Sequence, residues 1–236
     1  MRRRLAAEGL GSLLLAATVI GSGVMAEQLA GGNVAIALLA NTLATVLVLA
    51  VLIGLLGPIS GAHLNPAVSL LQVLRSRMPL REAAAYMLVQ IAGCCAGAVL
   101  AHAMFTLPLV SLSLNARSGA GQWLGEFVAT LGLLLIVAGH RRAADAPWMV
   151  AAWIGAAYWF TSSTSFANPA ITLARALSNT FAGIEPAHVP AFIAAQMAAV
   201  LVVVPVARGI FGADAGVDQI TPRSASETVS GPATIK

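Results

Sequence analysis

Long apolar runs alternate along this chain with short breaks of Gly, Pro, Asn and charge, giving candidate spans at 5–25, 33–56, 83–105, 121–139, 146–161 and 188–208. A helix needs roughly 20 apolar residues to cross about 30 Å of hydrocarbon, so these six runs predict helices that cross a bilayer. Two more apolar stretches, 60–74 and 163–177, are too short to cross. They repeat each other. Setting Asn65 on Asn168 pairs Ser60 with Ser163, Pro66 with Pro169, Ala67 with Ala170, Val68 with Ile171, Ser69 with Thr172 and Leu70 with Leu173, at a constant offset of 103 residues.

The match extends weakly to the first span of each half, where Ala7-Glu8 before Gly11-Ser12 resembles Gly125-Glu126 before Ala129-Thr130. Each half therefore holds three spans and one short segment. Three is odd, so the second copy is inverted relative to the first and the short segments enter from opposite faces. A helix of about ten residues is about 15 Å long, enough to reach the midplane and stop. Asn followed by Pro is a good helix start, because proline lacks the N–H that would go unpaired there. Both half helices should begin at Asn-Pro-Ala. The expected architecture is an all-α membrane protein of six transmembrane helices and two re-entrant half helices. It forms one domain over 1–210, with inverted repeats at about 5–105 and 121–208.

Composition agrees: of 236 residues 58% are hydrophobic and 9% charged, which leaves no length for a separate soluble domain. The basic residues are dispersed between apolar runs and form no patch, which argues against a nucleic-acid partner. They report topology. With the N-terminus inside, Arg2, Arg3, Arg4, Arg75, Arg77, Arg81, Arg141, Arg142, Arg208, Arg223 and Lys236 are cytoplasmic, and only Arg117 and Arg175 lie outside. The opening basic run and first apolar stretch are read as the first helix and not as a cleaved signal, since the run has spanning length and carries Glu8. The polar stretch 211–236 reads as a disordered cytoplasmic tail. Cys94 and Cys95 are packing residues, without a metal-ligand set. Trp123, Trp148 and Trp153 are read as interfacial anchors.

Residues 60–69, Ser-Gly-Ala-His-Leu-Asn-Pro-Ala-Val-Ser, and 166–170, Phe-Ala-Asn-Pro-Ala, resemble the paired signature loops of the aquaporin and aquaglyceroporin family. The resemblance runs over about 5–208. It implies an aquaporin-like channel, a homotetramer with one pore per subunit, needing no cofactor or metal, with the lipid bilayer, water and small neutral solutes as its partners. Pore-signature residues are then Asn65, Pro66, Ala67, Asn168, Pro169 and Ala170, where two half-helix N-termini repel cations and the Asn amides hydrogen-bond a passing solute. Each Asn is also a good N-cap. Glu8 and Glu126, buried carboxylates in apolar spans, would brace the re-entrant loops, a proton relay being the alternative. His63 lines the cytoplasmic half of the pore, holds the loop, or both.

Water-selective members of the family carry an Arg directly after the second signature, where this chain has Ile171. Counting by the family's usual spacing puts the other filter positions at Thr45, Ala156 and Ser165. Small neutral groups predict a wider filter than a water channel's; the resemblance implies that such wide filters suit glycerol, urea and arsenous acid-type metalloid acids along with water. Arg175 lies one turn beyond Ile171, and its side chain either leans back as a vestibule charge or snorkels to the outer surface. Without a filter cation, ion exclusion would rest on the half-helix dipoles and the two Asn. The competing readings are a mainly water-conducting pore and a proton-coupled carrier using Glu8 or Glu126. An enzyme is disfavoured, since no nucleophile with its base and no phosphate-cradling loop appears. The implied location is a bacterial inner membrane, with both termini cytoplasmic.

Overall fold

The computed structural model describes residues 1–140 and 142–212, so the expected tail lies, from residue 213 on, outside the described residues. Among those described, every named element is helical: α1 (Arg2–Leu29), α2 (Val34–Ser60), α3 (Pro66–Leu74), α4 (Leu80–Met104), α5 (Ala120–Gly139), α6 (Ala146–Phe160), α7 (Pro169–Arg175) and α8 (Val189–Phe211). Five of them are long and apolar enough to span a bilayer; α6, in the place of the fifth expected span, has 15 residues and is about 22 Å long. The helix α2 runs through Pro58 to Ser60, four residues past the expected end, and so delivers the chain directly into the first re-entrant loop.

The half helices α3 and α7 are 9 and 7 residues long and begin at Pro66 and Pro169, behind Asn65 and Asn168 as N-caps. The inversion is visible in the loops before them. Gly61, Ala62 and Leu64 have φ of 86°, 44° and 50°, and Thr164, Ser165 and Ala167 have 60°, 50° and 48°, at the offset of the sequence repeat. Five of these six residues carry a Cβ, and the left-handed conformation costs such residues about 1–2 kcal/mol each. Something must hold these loops in place.

In each half the first and third spans pack closely, α1 on α4 and α5 on α8, while α2 meets α6 across the halves. The α1–α4 contact needs Gly93 and Gly97: a Cβ at Gly93 would strike the Gly9 carbonyl, and one at Gly97 the Leu13 carbonyl. Gly97→Val is expected to lower the melting temperature of the purified protein markedly, as overpacking of about 1–3 kcal/mol against an immovable backbone requires. Outward, Leu43, Leu47, Val51 and Leu55 form an exposed stripe on α2 that only lipid or another subunit would cover. Trp153 differs from the expected anchor: half-buried, it covers Gly132 and donates to the Ala129 carbonyl at 2.8 Å.

Candidate functional site

A cavity of ≈ 1250 Å³ runs through the interior, from Arg4, Arg77 and His140 at the end where α1 begins and α8 ends, past Asn65 and Asn168, to Tyr158 and Arg175 at the other end. Its waist is where the two half helices meet. The Asn65 Oδ1 caps Ala67 N at 2.9 Å, and the Asn168 Oδ1 caps Ala170 N at 3.0 Å and Ile171 N at 3.3 Å. Each amide nitrogen crosses to the opposite loop: Asn65 Nδ2 donates to the Ala167 carbonyl and Asn168 Nδ2 to the Leu64 carbonyl, both at 2.8 Å. The two asparagines are therefore caps, cross-ties and cavity-lining groups at once. An amide NH₂ has two hydrogens, so each keeps one to offer beyond its cross-tie.

Glu8 and Glu126 hold the strained loops. Glu8 Oε1 accepts from Ser60 Oγ (2.6 Å) and His63 N (2.9 Å), and its Oε2 from Leu64 N (2.7 Å) and Gln90 Nε2 (2.8 Å). Glu126 accepts from Phe166 N (2.7 Å), Ala167 N (2.9 Å) and Gln196 Nε2 (2.6 Å). Both carboxylates are fully buried and all four oxygens are engaged, an arrangement that braces the backbone of the re-entrant loops.

Gln90 and Gln196 complete the two braces, and neither was anticipated. Each joins the carboxylate to the half helix, through Ser69 Oγ at 3.1 Å and Thr172 Oγ1 at 3.0 Å. The available signal is a single amide inside each largely apolar third span, where an unpaired polar group is costly. His63 lines the cavity, and its Nδ1 lies 3.0 Å from Ser69 Oγ.

At the far end, three of the four positions expected to form a filter line the cavity. Thr45, Ser165 and Ile171 line the cavity and are 3%, 2% and 4% exposed. Ala156 does not: it is exposed on the outer side of α6, and the wall there is made by Ile154 and Tyr158. The correction follows from helix geometry, since two residues turn a helix by about 200° and exchange one face for the other. Tyr158 Oη lies 3.4 Å from Thr45 Oγ1, which itself donates to the Asn41 carbonyl at 2.8 Å. The Ser165 hydroxyl, buried at the cavity wall, has no hydrogen-bond partner.

Arg175 does not snorkel. It is 3% exposed, lines the cavity, donates through Nε to the Ala182 carbonyl and stacks its guanidinium 3.3 Å from the Phe166 ring centre. A second guanidinium, of Arg117, lies 5.2 Å from the same ring. Arg117 comes from the connection 105–119, which folds back over the exit of α7: Ser111 N and Ser113 N donate to the Leu177 and Ala176 carbonyls at 3.0 Å each, and Arg117 Nε to the Gly183 carbonyl at 2.8 Å. Arg117 thereby ties down the vestibule at this end of the cavity.

Comparison with known proteins agrees with this geometry. The family model described as "Major intrinsic protein" matches residues 1–167. The aquaglyceroporin AqpS of Rhizobium meliloti (strain 1021) is 52% identical over 201 residues, covering 84% of this chain and 85% of that protein. Aquaporin A of Dictyostelium discoideum is 34% identical over 177 residues, covering 69% of this chain and 63% of that protein. The X-ray structure of the aquaglyceroporin from Plasmodium falciparum superposes with a TM-score of 0.58 at 21% identity, over 87% of this chain and 98% of that one, a likeness of fold. The chain belongs to the major intrinsic protein family and is an integral membrane channel for small solutes.

Proposed function

We propose that this channel conducts small uncharged, hydroxylated solutes, among them glycerol, urea and arsenous acid-type metalloid acids, together with water. The observation that carries the reading is the amphipathic wall at this end: the hydroxyl-bearing residues Thr45, Tyr158 and Ser165 line the cavity beside the apolar Ile171. A solute with hydroxyls on one side and a less polar body on the other can exchange its hydration for such a lining. Water alone gains nothing from the apolar part. The likeness to AqpS, an aquaglyceroporin, supports the same solute class. In this reading the termini face the cytoplasm of a bacterial inner membrane, Arg175 supplies the vestibule charge, and four copies assemble through exposed faces such as the α2 stripe, each with its own pore.

The test is stopped-flow light scattering on reconstituted vesicles, comparing glycerol, urea, arsenous acid and water for the wild type and Ile171→Arg. The larger charged side chain should cut solute flux about tenfold or more, a barrier increase of ~1.4 kcal/mol, while water flux persists. Water-only flux in the wild type, with a ranking of solutes that Ile171→Arg does not alter, would refute the proposal.

A further inference from the structure

Two positive charges gather at the far end of the cavity, and neither is paired with a carboxylate. Arg175 and Arg117 lie 3.3 and 5.2 Å from the centre of one ring, that of Phe166, while the salt bridges among the described residues are Arg4–Glu82 and His188–Glu185, elsewhere in the fold. Glu126 is the carboxylate whose charge acts on both guanidiniums, but its oxygens are taken by Phe166 N, Ala167 N and Gln196 Nε2. The C-terminal end of α7, where Arg175 sits, adds a partial negative charge. Two buried cations still exceed that compensation, and a buried charge without a close partner favours an anion beside it.

The two arginines divide the work. Arg117 spends all three of its nitrogens on the surrounding chain, Nε on the Gly183 carbonyl, Nη1 on the Ser163 carbonyl and Thr164 Oγ1, and Nη2 on the Phe181 carbonyl, so it contributes charge alone. Arg175 is 3% exposed and lines the cavity, yet among the described residues only its Nε has a hydrogen-bond partner, the Ala182 carbonyl. Its Nη1 and Nη2 form a planar fork of donors that matches two oxygens of one ligand. Ser165, next to Phe166 in the chain, lines the same cavity, and its buried Oγ has no partner among the described residues. A guanidinium only donates, so the ligand that suits it best only accepts, which an ionised carboxylate does and a neutral polyol does not. We propose that the far-end vestibule is a binding site for a small oxyanion of the carboxylate type, held by the Arg175 fork and the Ser165 hydroxyl in the field of Arg117.

The experiment uses the full chain in a neutral detergent and a zwitterionic buffer at neutral pH, with carbon-13 formate as the probe and its NMR line broadening as the measure of binding. Formamide, of nearly the same size and shape but uncharged, is titrated in parallel. Saturable binding of about one formate per subunit is expected, weakened about tenfold or more in Arg175→Leu and about threefold in Ser165→Ala. Arg175→Lys keeps the charge without the fork and should recover part of the loss. Arg81→Gln removes an exposed charge of α4 that does not line the cavity, and should leave binding unchanged. Size exclusion shows which variants are folded; if Arg175→Leu is not, Ser165→Ala and Arg175→Lys decide. Absence of saturable formate binding, equal binding of formamide, full binding by folded Arg175→Leu, or an equal loss in Arg81→Gln overturns the proposal. Binding is read on the purified protein, so glycerol flux without formate binding overturns this site and leaves the solute reading standing.

Discussion

Glu126→Leu is expected to reduce solute flux to that of protein-free vesicles and to leave little folded channel. The substitution removes the acceptors of Phe166 N, Ala167 N and Gln196 Nε2, all in a fully buried setting. A buried donor left unsatisfied costs about 1–3 kcal/mol, so three cost about 3–9 kcal/mol, against a typical total stability of about 5–15 kcal/mol. The same carboxylate offsets the left-handed backbone at Ser165 and Ala167, which relaxes once its anchor is gone. Glu126→Gln keeps one acceptor oxygen and should fall between the wild type and Glu126→Leu. Fluorescence-detected size exclusion after heating measures the fold, and stopped-flow scattering the flux. A Glu126→Gln protein that is fully stable but loses a pH-dependent part of its flux would instead favour the proton-coupled carrier.

Arg175→Leu is expected to leave the channel folded and to raise its conductance to small cations. A unit charge about 7 Å from a passing ion, at an effective dielectric of about 20, contributes about 2.4 kcal/mol, which is a rise of about fiftyfold. The half-helix dipoles and asparagine caps persist in the variant, so exclusion weakens without vanishing. Planar-bilayer recordings in potassium chloride give the readout, with Arg175→Lys restoring most of the exclusion. Unchanged conductance and solute ranking would mean that Arg175 only packs on Phe166 and ties down the Ala182 carbonyl.

The elements most legible in the sequence were those whose signal is local. Asn-Pro-Ala writes a cap and a helix start into three adjacent residues, and both half helices begin there. Glu8 and Glu126 stood out because an apolar span makes any carboxylate conspicuous. Gln90 and Gln196 carry the same kind of signal in weaker form, since an amide is less costly to bury than a charge. Tyr158 was missed for a different reason. Counting back from Asn168 crosses the irregular loop 161–168 and lands on Ala156, and a shift of two residues on α6 exchanges the cavity face for the outer one. Arg117 was opaque because its partners Gly183 and Phe181 lie more than sixty residues away, and no periodicity encodes a contact of that range.

The crossed ties at the waist bear on how the two halves of this chain can change over evolutionary time. Asn65 finishes its bonding on Ala167, and Asn168 on Leu64, so each repeat contains the socket for the other's plug. A mutation that shifts one loop is felt first in the opposite repeat, so a compensating change arises about a hundred residues away and not next door. Lipid-facing stripes carry no such reciprocal debt and are free to drift apart in sequence. The ancestry of the duplication should therefore persist longest in the few residues around the waist, long after the flanking helices have become strangers.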